Sequence, residues 1–132
     1  MSRVLPRPNA ETQPFWIGCA QGRLLYQACA RCGQVQVIPR SLCSACQCSE
    51  LEWKQSAGTG TVLTHTTVHR APTLAFKEMV PYVIAIVDMD EGFRLMVNVR
   101  PEIQKDVDIG RRIRLGVTEV EGMNLPHAEE IL

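Results

Sequence analysis

Cys29-Ala30-Arg31-Cys32 and Cys43-Ser44-Ala45-Cys46 are two Cys-x-x-Cys pairs with ten residues between them. Each pair fits a tight turn that aims two thiolates at one point. Two such turns, carried by neighbouring hairpins, complete a tetrahedral four-sulfur site. Gly33 follows Cys32 directly and accepts the positive φ that these turns use. The spacing therefore predicts one structural Zn²⁺ per chain on Cys29, Cys32, Cys43 and Cys46. Four protein ligands leave no position for water or substrate, so the metal holds a fold rather than doing chemistry. Iron accepts the same four thiolates and is left open. The competing reading, a redox dithiol, needs a thioredoxin-like βαβ context, and the flanking sequence predicts none.

Working outward, all six cysteines lie between Cys19 and Cys48. Such clustering favours metal ligation over disulfides. Cys48 is two residues past Cys46 and cannot easily replace a Cys-x-x-Cys member. Cys19 reads as a small buried apolar residue. Charge divides along the same line. Residues 1–56 hold six Lys/Arg and three Asp/Glu, while residues 57–132 hold eight and eleven. We place the junction at Gly58-Thr59-Gly60. The expected division is an arm and short helix over 1–22, a ribbon over 23–57 and a barrel over 58–132.

The 132 residues are 45% hydrophobic and 21% charged, with a formal net charge of zero. A general nucleic-acid binder normally carries a basic surplus. The longest uncharged apolar run, Met79 to Val87, includes Pro81 and is too short to span a bilayer. The first fourteen residues are polar and proline-rich, unlike a secretory leader, so the expected compartment is the cytoplasm.

Pro14 suits the first turn of a helix, with Phe15, Trp16 and Cys19 on one face and Gly22 as its stop. The residues before it read as an extended arm. Leu24–Ala28 reads as a short strand, and Val35, Val37 and Pro39, alternating with Gln34, Gln36 and Ile38, as a second. Beyond the junction the pattern is β throughout. Thr61–His69 is rich in Val and Thr. Tyr82–Val87 is apolar on both faces and predicts a strand covered on both sides. Asp90-Glu91-Gly92 is a turn into the alternating Phe93–Val99. Pro101–Asp106 suits one helical turn. Ile113, Leu115 and Val117 mark a fourth strand, and Glu121-Gly122 turns into a short last segment from Leu125-Pro126. The fold expected is mainly β, a short helix and metal-fixed ribbon followed by a small closed barrel of the OB type.

With these segments placed, the chain resembles the rubredoxin-like zinc-ribbon/OB-fold proteins, first catalogued as a domain of unknown function. The resemblance runs through Pro14-Phe15-Trp16, Gly22-Arg23-Leu24, the two cysteine pairs, Ile38-Pro39-Arg40, Gly58–Val62, Thr64-His65-Thr66, Pro81–Ala85, Asp90-Glu91-Gly92 and Ile109-Gly110. It implies a non-catalytic accessory subunit of an acyl-CoA enzyme: a thiolase, a thiolase-like aldolase, hydroxymethylglutaryl-CoA synthase or a hydratase. Such a subunit supports its partner's assembly and acyl-CoA site. Three positions depart from the family pattern. Ser44 stands where Pro is usual, Gln47 where Gly is usual, and His127 follows Pro126 where an aromatic is usual. If position 47 needs positive φ, Gln47 costs about 1 kcal/mol.

The residues expected at an acyl-CoA or partner surface are Phe15, Trp16, Arg40, Arg112 and Arg114. Phe15 and Trp16 serve equally as core or as docking surface. Arg112 and Arg114 share one strand face and suit phosphate. Independent catalysis has little support. His65, His69 and Asp88 imitate an acid–base site, but a polar outer barrel face explains them more simply. The runner-up is an OB-fold nucleic-acid binder. It lacks stacking aromatics, since Tyr82 and Phe93 both read as core-facing.

Overall fold

Asn9 starts the first ordered turn. Its side-chain oxygen accepts the N–H groups of Glu11 at 3.0 Å and Thr12 at 2.9 Å. Helix α1 then runs over Gln13–Ala20 with Pro14 in its first turn. It ends in a Schellman motif: Arg23 N–H bonds Gly18 O at 2.8 Å and Gly22 N–H bonds Cys19 O at 3.0 Å. Gly22 holds φ at 75°, which a side chain resists. Phe15 and Cys19 face inward. The structure, a computed structural model, describes residues 5–71, 74, 77 and 79–132. The first four residues of the expected arm lie outside the described residues.

The ribbon is a three-stranded antiparallel sheet in the order β2-β1-β3. Strand β1 is Leu25–Cys29, β2 is Val35–Gln36 and β3 is Leu51–Gln55. The third strand was not anticipated. Its signal is Leu51 and Trp53 alternating with Glu52 and Lys54, too short to stand out beside the cysteines. It pairs β1 along its whole length, with Gln27 opposite Trp53.

Strands β4 (Thr59–Val68), β5 (Tyr82–Met89), β6 (Arg94–Val99), β7 (Arg112–Val120) and β8 (Met123–Ile131) form a closed barrel. Their order is β4-β5-β6-β8-β7, and β7 closes on β4 with Gly60 opposite Ile113. The one parallel pairing, β6 with β8, is short: Asn98 to His127 and Val99 to Ala128. A 3₁₀ helix over Pro101–Asp106 fills the β6–β7 connection. This is the OB arrangement. Gly60 is required by close approach, since a Cβ there would lie 2.5 Å from Asp88 O.

The barrel differs from expectation at three places. Strand β5 is not doubly covered. Val83, Ala85, Val87 and Met89 point inward, while Ile84 and Ile86, on the other face of the strand, are half-exposed. The last segment is a nine-residue strand, not a short tail. Tyr82 is half-exposed at the barrel end rather than in the core, whereas Phe93 is buried.

Ribbon, helix and barrel share one apolar core. Phe15, Cys19 and Tyr26 join Val87, Phe93 and Ile113 in a single buried cluster. Each large side chain so buried contributes about 1.5–3 kcal/mol. Tyr26 of β1 stacks on Phe93 with ring centroids 5.0 Å apart. Beside them Glu91 receives Ser56 Oγ at 2.7 Å and Ala57 N–H at 2.8 Å. The turn of the β5–β6 hairpin therefore clamps the junction between ribbon and barrel.

Candidate metal centre and partner surface

The four ribbon thiols converge. One sulfur from each of Cys29, Cys32, Cys43 and Cys46 lies within 4.8 Å of the other three. Cys29 Sγ is 3.6 Å from Cys46 Sγ, and Cys32 Sγ is 3.5 Å from Cys43 Sγ. A tetrahedron of sulfurs at about 2.3 Å from zinc has edges of about 3.8 Å, so the group fits such an ion with small adjustment.

The two turns repeat one design. Gly33 N–H bonds Cys29 O at 3.0 Å, and Gln47 N–H bonds Cys43 O at 2.9 Å. Cys29 N–H reaches Gln34 O, and Cys43 N–H reaches Cys48 O. Backbone N–H groups of Arg31 and Cys32 point at Cys29 Sγ, both at 3.4 Å, as Ala45 N–H points at Cys43 Sγ. The Cys32 N–H chiefly, opposed by burial and helped by Arg31 N–H, holds the Cys29 thiol down at about 6. The N–H groups of Cys46 and Ala45 likewise lower Cys43. In each pair the backbone N–H groups thus favour the thiolate of the first cysteine, the form a metal needs. Gln47 sits at φ 61°, the strained position foreseen for it. Cys48 Sγ instead accepts Glu50 N–H at 3.3 Å and stands outside the cluster. Cys19 is buried, and burial pushes its thiol up to about 11.

Two buried glutamines, which sequence reading missed, support the second pair. Gln27 Oε1 accepts Arg40 N–H at 3.0 Å and Gln36 Nε2 at 2.8 Å, and Gln27 Nε2 donates to Arg40 O. Gln36 Oε1 accepts Ser44 N–H at 3.0 Å. A buried amide left unpaired costs about 1–3 kcal/mol, so this ladder fixes the 37–44 loop against β1. Their only sequence signal is polar residues at inward strand positions.

The expected surface residues do not form one patch. Phe15 is a core residue, 6% exposed, and meets Trp16 edge-on at 4.9 Å. The docking role is therefore withdrawn for Phe15, because the core of so small a chain needs it. Trp16 is half-buried against that core. Arg40 is exposed on the ribbon loop beside Glu11, Ser41 and Leu42. Arg112 does not offer an open phosphate fork. Its two terminal nitrogens bond Asp90 at 2.7 Å each. The Arg112 and Thr59 bonds hold the Asp90 carboxyl at about 2. Arg114 pairs with Glu130 at 2.7 Å. The imitation acid–base trio does not assemble either, because Asp88 binds Arg94 while His65 faces Asp108 at 3.8 Å. No helix among the described residues is long and apolar enough to cross a membrane.

Comparison with known proteins gives this geometry a context. Residues 16–52 match the model described as the ChsH2 rubredoxin-like zinc ribbon domain, and residues 53–118 that of the ChsH2 C-terminal OB-fold domain. A "probable enoyl-CoA hydratase alpha subunit" of Thermomonospora curvata is 33% identical over 88% of this chain, which spans 36% of that protein. A "DUF35 domain-containing scaffold protein" of Methanocaldococcus jannaschii is 38% identical over 64% of this chain and 60% of its own length. The chain thus spans between about a third and three-fifths of these two relatives. Among solved structures, a chain of the "Ltp2-ChsH2(DUF35) aldolase" has a TM-score of 0.82 at 29% identity, covering 95% of this chain and 98% of that one. A DUF35 protein of unknown function from Sulfolobus solfataricus shares the fold, with a TM-score of 0.64 at 17% identity. Ribbon and barrel are matched in chain order by the two halves of one family, and this chain belongs to it: the ChsH2-type, or DUF35, proteins that join a rubredoxin-like zinc ribbon to an OB fold.

Proposed function

We propose that this chain is a non-catalytic accessory subunit of an acyl-CoA-processing enzyme, of thiolase, thiolase-like aldolase or hydratase type. The observation that carries the reading is the full-length likeness to the DUF35 chain named in the aldolase complex. The relatives named as a hydratase subunit and as scaffold proteins support it. In this reading the chain acts in the cytoplasm, supports assembly of its partner and borders the partner's acyl-CoA site. It is divided into arm and helix (1–22), ribbon (23–57) and barrel (58–132).

Cys29, Cys32, Cys43 and Cys46 would hold one zinc ion, whose contribution is a cross-link between two loops. The ribbon buries few large side chains of its own, and metal binding free energy is then folding free energy. A ribbon fixed in advance loses little further freedom on docking, which favours tight association. Trp16 and the exposed Ile17, Ile38 and Leu42 give the helix and ribbon an apolar outer surface suited to a protein partner. The nucleic-acid alternative loses its best cations, because Arg112 and Arg114 are engaged by Asp90 and Glu130.

An assay of the chain alone, of a candidate partner enzyme from its own organism, and of the two co-expressed tests the reading. Turnover of acyl-CoA should be absent for the chain alone and higher for the pair than for the partner alone. A partner fully active and soluble by itself would contradict it.

A further inference from the structure

A cavity of about 560 Å³ opens at the end of the barrel where β5 begins and β6 ends. Met79, Tyr82, Val99, Val120 and His127 line it together with Arg100. It exists because the parallel β6–β8 seam is only two residue pairs long, so the strands part below it. Its size falls in the range of small-ligand pockets. Its walls are mostly apolar, and its cationic group is Arg100.

Arg100 differs from the other paired arginines of the barrel. Arg112 spends both terminal nitrogens on one carboxylate. Arg94 and Arg114 each bond an acidic neighbour directly. Arg100 instead has Nη2 on the Thr118 hydroxyl at 2.9 Å and Glu129 only at 3.7 Å. Its Nε is buried with no hydrogen-bond partner. Glu129 is held off by its own seat. Its carboxylate lies over Gly116, where a Cβ would come within 1.3 Å of Oε2. The shielded Nε is out of a ligand's reach, whereas the terminal nitrogens carry one close hydrogen bond, from Nη2 to Thr118, and a longer ion pair to Glu129, so it is through them that the guanidinium can serve the cavity. His127 Nδ1 lies 3.2 Å from Leu125 O and donates to it, which fixes the ring at the cavity wall.

We propose that this cavity binds an aliphatic carboxylate, with the head group on the Arg100 fork and the chain along Val99, Val120 and Met79. Carboxylate and guanidinium match as a planar, two-point pair, and the walls accept a short alkyl chain. Glu102 lies at the rim and opposes the incoming charge. The proposal stands apart from the accessory-subunit reading.

Titration of the ¹⁵N-labelled full chain with octanoate tests it. Saturable shifts should centre on the amides of Asn98, Arg100, Thr118 and His127, and octanol should bind at least about tenfold more weakly, as expected where a charged hydrogen bond is lost. Arg100→Gln should weaken octanoate about tenfold or more, Arg100→Lys less, and Glu102→Gln should tighten it. Arg112→Gln should leave it unchanged. Should Arg100→Gln fail to fold, Val120→Phe, which fills the cavity, must abolish the shifts. No saturation at millimolar octanoate, equal binding of octanol, or indifference to both Arg100→Lys and Val120→Phe would overturn the proposal.

Discussion

Tyr26, on the central strand of the ribbon, stacks against Phe93 of the barrel at 5.0 Å with their planes 27° apart. Both rings are nearly out of solvent. The cysteine-rich and barrel parts therefore share a core and should melt together. Tyr26→Ala and Phe93→Ala should each cost about 3–5 kcal/mol. Their double-mutant cycle should show coupling of about 0.5–1.5 kcal/mol. Urea unfolding of the four proteins checks this, and strict additivity would show that the rings do not interact.

Zinc is expected at one equivalent per chain by elemental analysis. Structural zinc in small ribbons supplies on the order of 10 kcal/mol at neutral pH. Cys32→Ala should therefore lose the metal and unfold the ribbon, and the shared core should carry the damage to Phe93. Cys48→Ala should keep the full equivalent, because its sulfur lies outside the cluster. Two-dimensional NMR of both variants separates these outcomes.

Gln47 pays a backbone penalty at φ 61°. Gln47→Gly should raise stability by about 0.5–1 kcal/mol, or a few degrees in Tm. A lower Tm in a zinc-loaded scan would show that the amide side chain matters more than the backbone.

Acid should act on the Asp90–Arg112 pair. The Asp90 carboxyl is lowered from its ordinary value of 3.8 to about 2 by Arg112 and then Thr59. A depressed carboxylate stabilises the fold above its unfolded value. That contribution is complete above about pH 4–5 and is lost as pH falls towards 2. Carboxyl ¹³C titration of the chain should find Asp90 near 2, and of Arg112→Ala near its ordinary value. Both groups are partly exposed, so the stability effect is small and weakens with salt.

Much of this was legible in the residues. The paired Cys-x-x-Cys spacing located the four thiols, and the family pattern with Gly at position 47 pointed to the strain at Gln47. Val and Thr content located β4, and the Asp90-Glu91-Gly92 turn located the β5–β6 hairpin. What escaped depended on partners distant in sequence. Strand β3 is defined by pairing with β1, more than twenty residues earlier. Gln27 and Gln36 read as ordinary polar positions until their amides are seen to meet. Arg112 and Arg114 looked like a cationic face because Asp90 and Glu130 lie 22 and 16 residues away. Alternation on β5 was hidden because its outward residues, Ile84 and Ile86, are as apolar as its inward ones.

The measurement closest to the central claim is the light-scattering mass of this chain co-expressed with a candidate thiolase-, aldolase- or hydratase-type enzyme from its own organism. A subunit should co-elute at a fixed stoichiometry and bury more than about 1,000 Å² in total. Single substitutions at Trp16 or Ile38 should loosen it, while Ile109→Ser on the barrel should not. Separate elution of the two proteins at micromolar concentration, each at its own monomer or oligomer mass, would contradict the account.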